Sequence, residues 1–242
     1  LVLPQLARLG IEETWAILGL ICTALALVSW HPWPKADEPS LNIKKAGKQT
    51  RYFSAAVLVL LISYSLDAAG YVPHTVYWVD FIARELTLGS QTGGYYWMTL
   101  GFGAVIGPIA AGRLADKIGF KKSLILALSA KAMAVFLPVI STGYIALFLS
   151  SLIVGAMTPG MVVLVSGYTG ELVGAKHQRL VWGLMTFGFA LAQAISGFGM
   201  AYLFDLNQSY MQLFFTGSIA LALAGLLIAT SPASHKIKGP EE

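Results

Sequence analysis

Gly112-Arg-Leu-Ala-Asp-Lys-Ile-Gly-Phe-Lys-Lys-Ser123 is a short, strongly charged run in an otherwise apolar chain. Upstream of it, Tyr95–Ala111 carries no charge; downstream, Leu124–Ile140 carries one, Lys131. Twelve polar, glycine-punctuated residues between two runs of membrane-spanning length predict a tight hairpin joining two spanning helices. Gly112 and Gly119 permit close backbone turns. Asp116 can face a helix N-terminus or a neighbouring cation. Arg113, Lys117, Lys121 and Lys122 mark the side on which basic residues are retained, the cytoplasm.

The composition agrees. Of 242 residues, 56% are hydrophobic and only 12% charged, against about 25% charged in soluble domains. With a mean hydropathy of +0.69, the chain reads as an all-α, polytopic membrane helix bundle in a lipid bilayer. Its net charge of +4 reflects basic loops rather than a nucleic-acid surface, since no basic-aromatic patch or recognition motif is present. The single Cys22 lies in an apolar run and implies neither a disulfide nor redox chemistry. Leu1–Gly10 lacks the basic start and apolar core of a signal peptide and resembles the tail of a helix whose beginning is missing.

Seven full spans follow from hydropathy: Thr14–Trp30, Tyr52–Trp78, Tyr95–Ala111, Leu124–Ile140, Tyr144–Leu172, Leu180–Leu203 and Tyr210–Thr230. The second exceeds the ~20 residues needed to cross, which predicts a tilt or a bend at Pro73. His31–Arg51 reads as a polar linker, Asp80–Thr92 as a loop, Ser141–Gly143 as a tight turn, Val173–Arg179 as a polar loop, Asp205–Ser209 as a turn and Ser231–Glu242 as a polar tail. All sixteen lysines and arginines except Arg8, Arg84 and Lys131 fall in the linker, the hairpin, Val173–Arg179 and the tail. That bias predicts a cytoplasmic C-terminus and an external N-terminal stub.

The run resembles the loop signature of the major facilitator superfamily, in Gly112, Leu114, Ala115, Asp116, Lys117, Gly119, Lys121 and Lys122. Phe120 stands where that family often has a basic residue. Members have two six-helix halves joined by a long cytoplasmic linker. The resemblance therefore implies that residues 1–30 end an N-terminal bundle, as a stub of helix five and helix six. Residues 31–51 become the linker, 52–230 a C-terminal six-helix bundle and 231–242 a cytoplasmic tail. It makes the chain a fragment of little more than half a transporter, whose missing N-terminal half is a partner. Three further segments are similar to the YbfB/YjiJ-type branch: Leu66–Thr75, Pro159–Gly167 and Trp182–Gln193. Ser196 departs from it, standing where many relatives have Gly or Pro.

Candidate site residues concentrate in the second span. At 100° per residue, Ser63, Asp67, Tyr71, His74 and Trp78 share an arc of about 80°, and a polar stripe on a spanning helix faces a cavity rather than lipid. Asp67 stands about 15 residues, or roughly 22 Å, from the cytoplasmic end. A charge at such depth costs about 2.5–3.5 kcal/mol on insertion scales, so Asp67 is paired, protonated or functional, and a candidate proton carrier. His74 shares its face and is a candidate relay or anion contact. Lys131, about nine residues from the inner edge on a helix that the resemblance puts at the periphery, is expected to snorkel to the surface; pairing with Asp67 is the weaker alternative.

Thr186 and Gln193 share a face of the sixth span, and Gln193 suits a cavity wall. Gly103, Gly107 and Ala111 offer a smooth strip for close helix packing. Gly155, Pro159 and Gly160 are a candidate hinge.

No phosphate-binding loop, metal cluster or nucleophile elbow occurs in the sequence, so an enzyme and a resident cofactor are not expected. The expected function is secondary transport of a small organic solute across a plasma membrane, in bacteria the inner one. It would work by alternating access, coupled to protons, with Gly112, Arg113, Asp116, Lys117, Gly119, Lys121 and Lys122 as a conformational latch by family resemblance. The alternative is a non-transporting membrane protein: a sensor, an assembly partner or an inert remnant. The odd number of spans favours that alternative.

Overall fold

The computed structural model describes residues 10–30 and 54–231. The expected helix-five stub, the linker with its basic residues and the polar tail lie outside the described residues. Seven helices are long and apolar enough to cross a membrane, and no strand occurs among the described residues. They are α1 (Ile11–Ser29), α2 (Ala55–Glu85), α3 (Gly89–Ile118), α4 (Phe120–Ile140), α5 (Tyr144–Val173), α6 (Ala175–Asn207) and α7 (Tyr210–Thr230). The chain divides into two units, residues 1–49 and 50–242. Among its described residues the first holds one helix, α1, in which the Thr14 hydroxyl donates to the Gly10 carbonyl at 2.7 Å.

In the second unit, α5, α4, α7, α2 and α6 follow one another around a ring that closes back on α5, and α3 lies along α5. Its first helix, α2, starts at Ser54, whose hydroxyl caps the Val57 amide at 3.3 Å.

The predicted twelve-residue hairpin is not a loop. α3 continues through Ile118 and α4 begins at Phe120, so Gly119 alone turns the chain, with φ of 85°. Val173–Arg179 reduces in the same way to Gly174, with φ of 73°. Both positions require glycine, because a β-carbon disfavours positive φ. The Gly119 amide donates to the Ala115 carbonyl and its own carbonyl accepts from Ser123, which closes both helix ends.

The physical reason for the difference is length. α3 has 30 residues, about 45 Å at 1.5 Å per residue, against a hydrocarbon core of about 30 Å. Its charged last turns can remain helical and still reach water, so charge marks where the membrane ends, not where the helix ends. Asp80–Thr92 is corrected likewise: helical backbone extends to Glu85 and resumes at Gly89. The Asp205–Ser209 turn shrinks to Gln208 and Ser209 after Asn207. Ser141–Gly143 and the bounds of the last span stand as expected.

The helices approach closely where side chains are missing. A β-carbon on Gly107 of α3 would stand 1.9 Å from the Ala156 carbonyl oxygen of α5, and one on Gly103 2.3 Å from that of Leu152. On α5, one at Gly155 would lie 2.0 Å from the Leu100 carbonyl oxygen. The expected strip of Gly103, Gly107 and Ala111 is thus the contact face, and backbone packs on backbone there. α5 runs without a break through Gly155, Pro159 and Gly160; Gly155 serves the contact with α3. Gly70 of α2 and Gly217 of α7 make a second such approach.

Gly107→Ala should destabilise the detergent-purified protein by about 1–3 kcal/mol through overpacking. Gly101→Ala, on the same helix with nothing within 4 Å of its added carbon, should leave the thermal midpoint unchanged or slightly raised. Equal midpoints for the two variants would contradict this account of the α3–α5 contact.

Candidate functional site

The regular ladder of α2 stops at Gly70, and Pro73 opens a wider π-helical turn over Pro73–Tyr77, followed by another over Phe81–Glu85. Proline lacks the amide that an α-helix needs at that point, so the ladder resets. The reset divides the polar stripe. Asp67 and Tyr71 stay on the regular side; His74 and Trp78 turn toward α5.

On the regular side, Asp67 Oδ1 meets Lys131 Nζ of α4 at 2.7 Å. The two side chains are 1% and 0% exposed. The Lys131 ammonium also lies over the ring of Tyr71, 4.5 Å from its centroid. Gln193 of α6 donates from Nε2 to the Tyr71 hydroxyl at 2.8 Å. Aromatic rings flank this group: Tyr64 and Phe189 have centroids 4.5 Å apart, Tyr71 and Phe189 6.0 Å, and Tyr64 and Trp182 6.2 Å. One buried ion pair therefore joins α2 to α4, and one amide–phenol hydrogen bond joins the same cluster to α6.

On the other side, His74 Nε2 contacts Ser150 Oγ of α5 at 2.7 Å, and that hydroxyl donates to the Ala134 carbonyl of α4 at 2.6 Å. Since the serine proton is committed to the carbonyl, Nε2 is the donor in the first bond. Nδ1 is buried with no hydrogen-bond partner among the described residues. Trp78 donates from Nε1 to Ser151 Oγ at 2.9 Å and stacks on His74 at 4.3 Å. This chain ties α2 to α5 and α4.

Lys131 does not snorkel. Asp67 stands twelve residues into α2 and Lys131 eleven into α4, about 18 Å and 16 Å from helix starts on the same side of the bundle. The two depths match once Phe120–Ser123 belong to the helix instead of a loop. Two opposite charges at equal depth neutralise one another, which offsets most of the cost of taking either from water.

Other expected residues fall elsewhere. Thr186 is exposed and returns its hydroxyl to the Trp182 carbonyl at 3.0 Å. Of the signature, Arg113, Asp116, Lys117 and Lys122 are exposed, whereas Lys121 donates to the Ser231 carbonyl at 2.5 Å and so caps the end of α7. The sequence reasoning missed Ser150 and Ser151 as partners; their signal was a pair of adjacent hydroxyls in an apolar span. Near the opposite end of α2, Asp80 bridges Arg84 at 2.8 Å and accepts from the Tyr210 hydroxyl. A surface groove of ≈ 410 Å³ between α4 and α7, lined by Ile125, Ala132, Met133, Gly225 and Leu226 among others, carries no charged side chain. Among the described residues no group of His, Cys, Asp and Glu is arranged to hold a metal ion.

A bundle of spanning helices with a buried, mutually neutralised ion pair, and polar ties radiating from one irregular helix, defines a multi-pass membrane protein. Comparison with protein families matches residues 1–229 to the family described as "Uncharacterised MFS-type transporter YbfB". The chain belongs to that family, within the major facilitator superfamily. A comparison with curated proteins finds no match.

Removing one partner of the buried pair leaves an uncompensated charge, so Asp67→Asn and Lys131→Met should each destabilise by about 3–5 kcal/mol. The double variant should recover most of that loss. Denaturant unfolding in detergent checks the cycle; additive single losses would show that the two residues do not interact.

Proposed function

We propose that this transporter moves a small organic solute across the plasma membrane, in bacteria the inner membrane, and couples that movement to protons at Asp67. The observation that carries the reading is the Asp67–Lys131 pair, the one ion pair among the described residues that is fully buried. A carboxylate kept deep in the bundle against a lysine can take up a proton when another anion takes its place on the lysine. Tyr71 and Gln193 border this site and are its substrate contacts. His74, bonded to Ser150, belongs to a neighbouring polar tie that transmits movement of α2 to α5. Thr186, exposed on α6, would meet solute from outside the bundle.

In this reading residues 52–230 form a six-helix bundle that rocks against another six-helix half, of which α1 is the last helix. Residues 31–51 are the cytoplasmic linker, and the C-terminus is cytoplasmic. Arg113, Asp116, Lys117 and Lys122, exposed about Gly112 and Gly119, act as the latch that engages the other half. Lys121, held to α7, anchors that segment. The glycines at Gly155 and Gly160, with Pro159, give α5 its capacity to flex. The chemistry involves no covalent step and no cofactor.

Proteoliposomes containing a pH-sensitive dye, challenged with a panel of small organic solutes, provide the assay. Asp67→Asn is expected to insert and yet lose solute-dependent proton movement altogether; wild-type proton flux in that variant would overturn the proton-carrier role. A second expectation concerns the latch. With Cys22→Ser and Gln193→Cys in place, Asp116→Asn should change the rate at which a membrane-impermeant maleimide labels position 193. An unchanged rate would count against a role for Asp116 in the conformational balance.

A further inference from the structure

We infer that the solute is a small aromatic carboxylate, which replaces Asp67 on the Lys131 ammonium when Asp67 takes up a proton. The inference rests on the transport reading above and names the class of solute for the same site.

The argument begins with charge balance. Lys131 is wholly buried and its counter-charge is Asp67, at 2.7 Å. A proton arriving alone at Asp67 would leave a bare ammonium in a medium of low dielectric, which is strongly disfavoured. A neutral solute arriving with the proton leaves the same imbalance, and a cationic solute worsens it. A monoanion corrects it. The exchange balances: the Asp67 carboxylate gains one proton and becomes a neutral carboxyl, the entering carboxylate takes over the ammonium, and the net charge of the site is zero before and after. Proton and anion therefore enter together, which is coupling by electroneutrality.

Among the described residues the surroundings offer no other charge to do this. The titratable and charged groups near Asp67 are Lys131 from α4 and Tyr64, Tyr71 and His74 from α2 itself. α6 brings Trp182, Phe189 and Gln193; α7 brings Gly217 and Leu221 beside Gly70; α5 brings Ser150 to His74. None of these supplies an anion.

The rings supply the rest of the specificity. Tyr71 lies over the ammonium, and Phe189, Tyr64 and Trp182 continue from it as a row of neighbouring rings. They suit a planar aromatic body, which can stack among them while its carboxylate reaches Lys131. Tyr71 is the cover: its ring lies on the ammonium and its hydroxyl is held by Gln193, a half-buried residue of α6. Releasing that bond turns the ring aside and frees the Gln193 amide for the entering solute.

Benzoate is the probe, with benzamide as its uncharged counterpart and benzylamine as a cation, titrated against the full chain in detergent by tryptophan fluorescence. Wild type should bind benzoate at least about tenfold more tightly at about pH 5.5 than at about pH 8, with no such preference for benzamide or benzylamine. Asp67→Asn should bind benzoate at about pH 8 at least about tenfold more tightly than wild type, and Asp67→Asn/Lys131→Met should lose that gain. Benzoate affinity independent of pH, matched by benzamide, or equal in Asp67→Asn and the double variant overturns the inference. Should Asp67→Asn not fold, the wild-type pH series and the charge-neutral double variant still decide. Proton-coupled flux of some other solute without benzoate binding refutes this inference and leaves the transport reading standing. Lys131-dependent benzoate binding without flux in liposomes supports the site and refutes transport.

Discussion

A carboxylate and an ammonium buried against one another inside a membrane bundle constrain everything around them. Neither Asp67 nor Lys131 can readily leave the other without a substitute charge, because a buried charge stripped of its partner is strongly disfavoured. The pair therefore fixes the depth and rotation of α2 against α4. Tyr71 seals it from one side and is itself held by Gln193 of α6. Three helices are thus registered by two polar contacts, and the His74–Ser150–Ala134 and Trp78–Ser151 bonds tie α5 to the same group. For a protein that belongs to a transporter family, such a site is stable only with its charges matched, so any change of occupant must be a matched change.

The apolar contacts do a different task. Gly103, Gly107 and Gly155 bring the backbones of α3 and α5 to distances that no side chain could occupy. Contacts of this kind define a position sharply in the direction of approach and leave the surfaces smooth along the helix axis. The π-helical turns of α2 complement them. By widening the helix after Pro73, they send His74 and Trp78 to the paired serines of α5, while Asp67 and Tyr71 face α4 and α6. One helix thereby contacts both sides of the ring with polar groups, and a displacement of α2 would be felt on both.

Much of this was legible in the sequence. The flat hydropathy of Tyr95–Ala111 and Leu124–Ile140 around a charged signature gave the seven-span, all-α architecture, and the spacing of Gly103, Gly107 and Ala111 gave a contact face. The ends of helices were not legible, because a charged residue such as Lys117 or Lys121 is compatible with a helical turn standing in water. At the two tightest turns a single glycine, Gly119 or Gly174, leaves the helix with positive φ. That error propagated into the site. Counted from the end of the charged run, Lys131 lies too shallow to meet Asp67; counted from Phe120, where the helix begins, it reaches the same depth. The stripe from Ser63 to Trp78 was correctly periodic, but periodicity assumes an unbroken α-helix, and Pro73 resets it. His74 consequently turns to Ser150, away from Asp67, a partner that no spacing argument on α2 alone could supply.

The most direct test of this account is the infrared difference spectrum of the purified protein, with benzoate present as the substitute anion, as the pH is lowered. The account predicts that a protonated carboxyl band, in the range of a group shielded from water, grows in with acidification in wild type and is missing in Asp67→Asn. A wild-type spectrum without such a band, or one that persists in Asp67→Asn, would contradict it: the pair would then be a fixed structural tie, and the proton would have to be carried elsewhere.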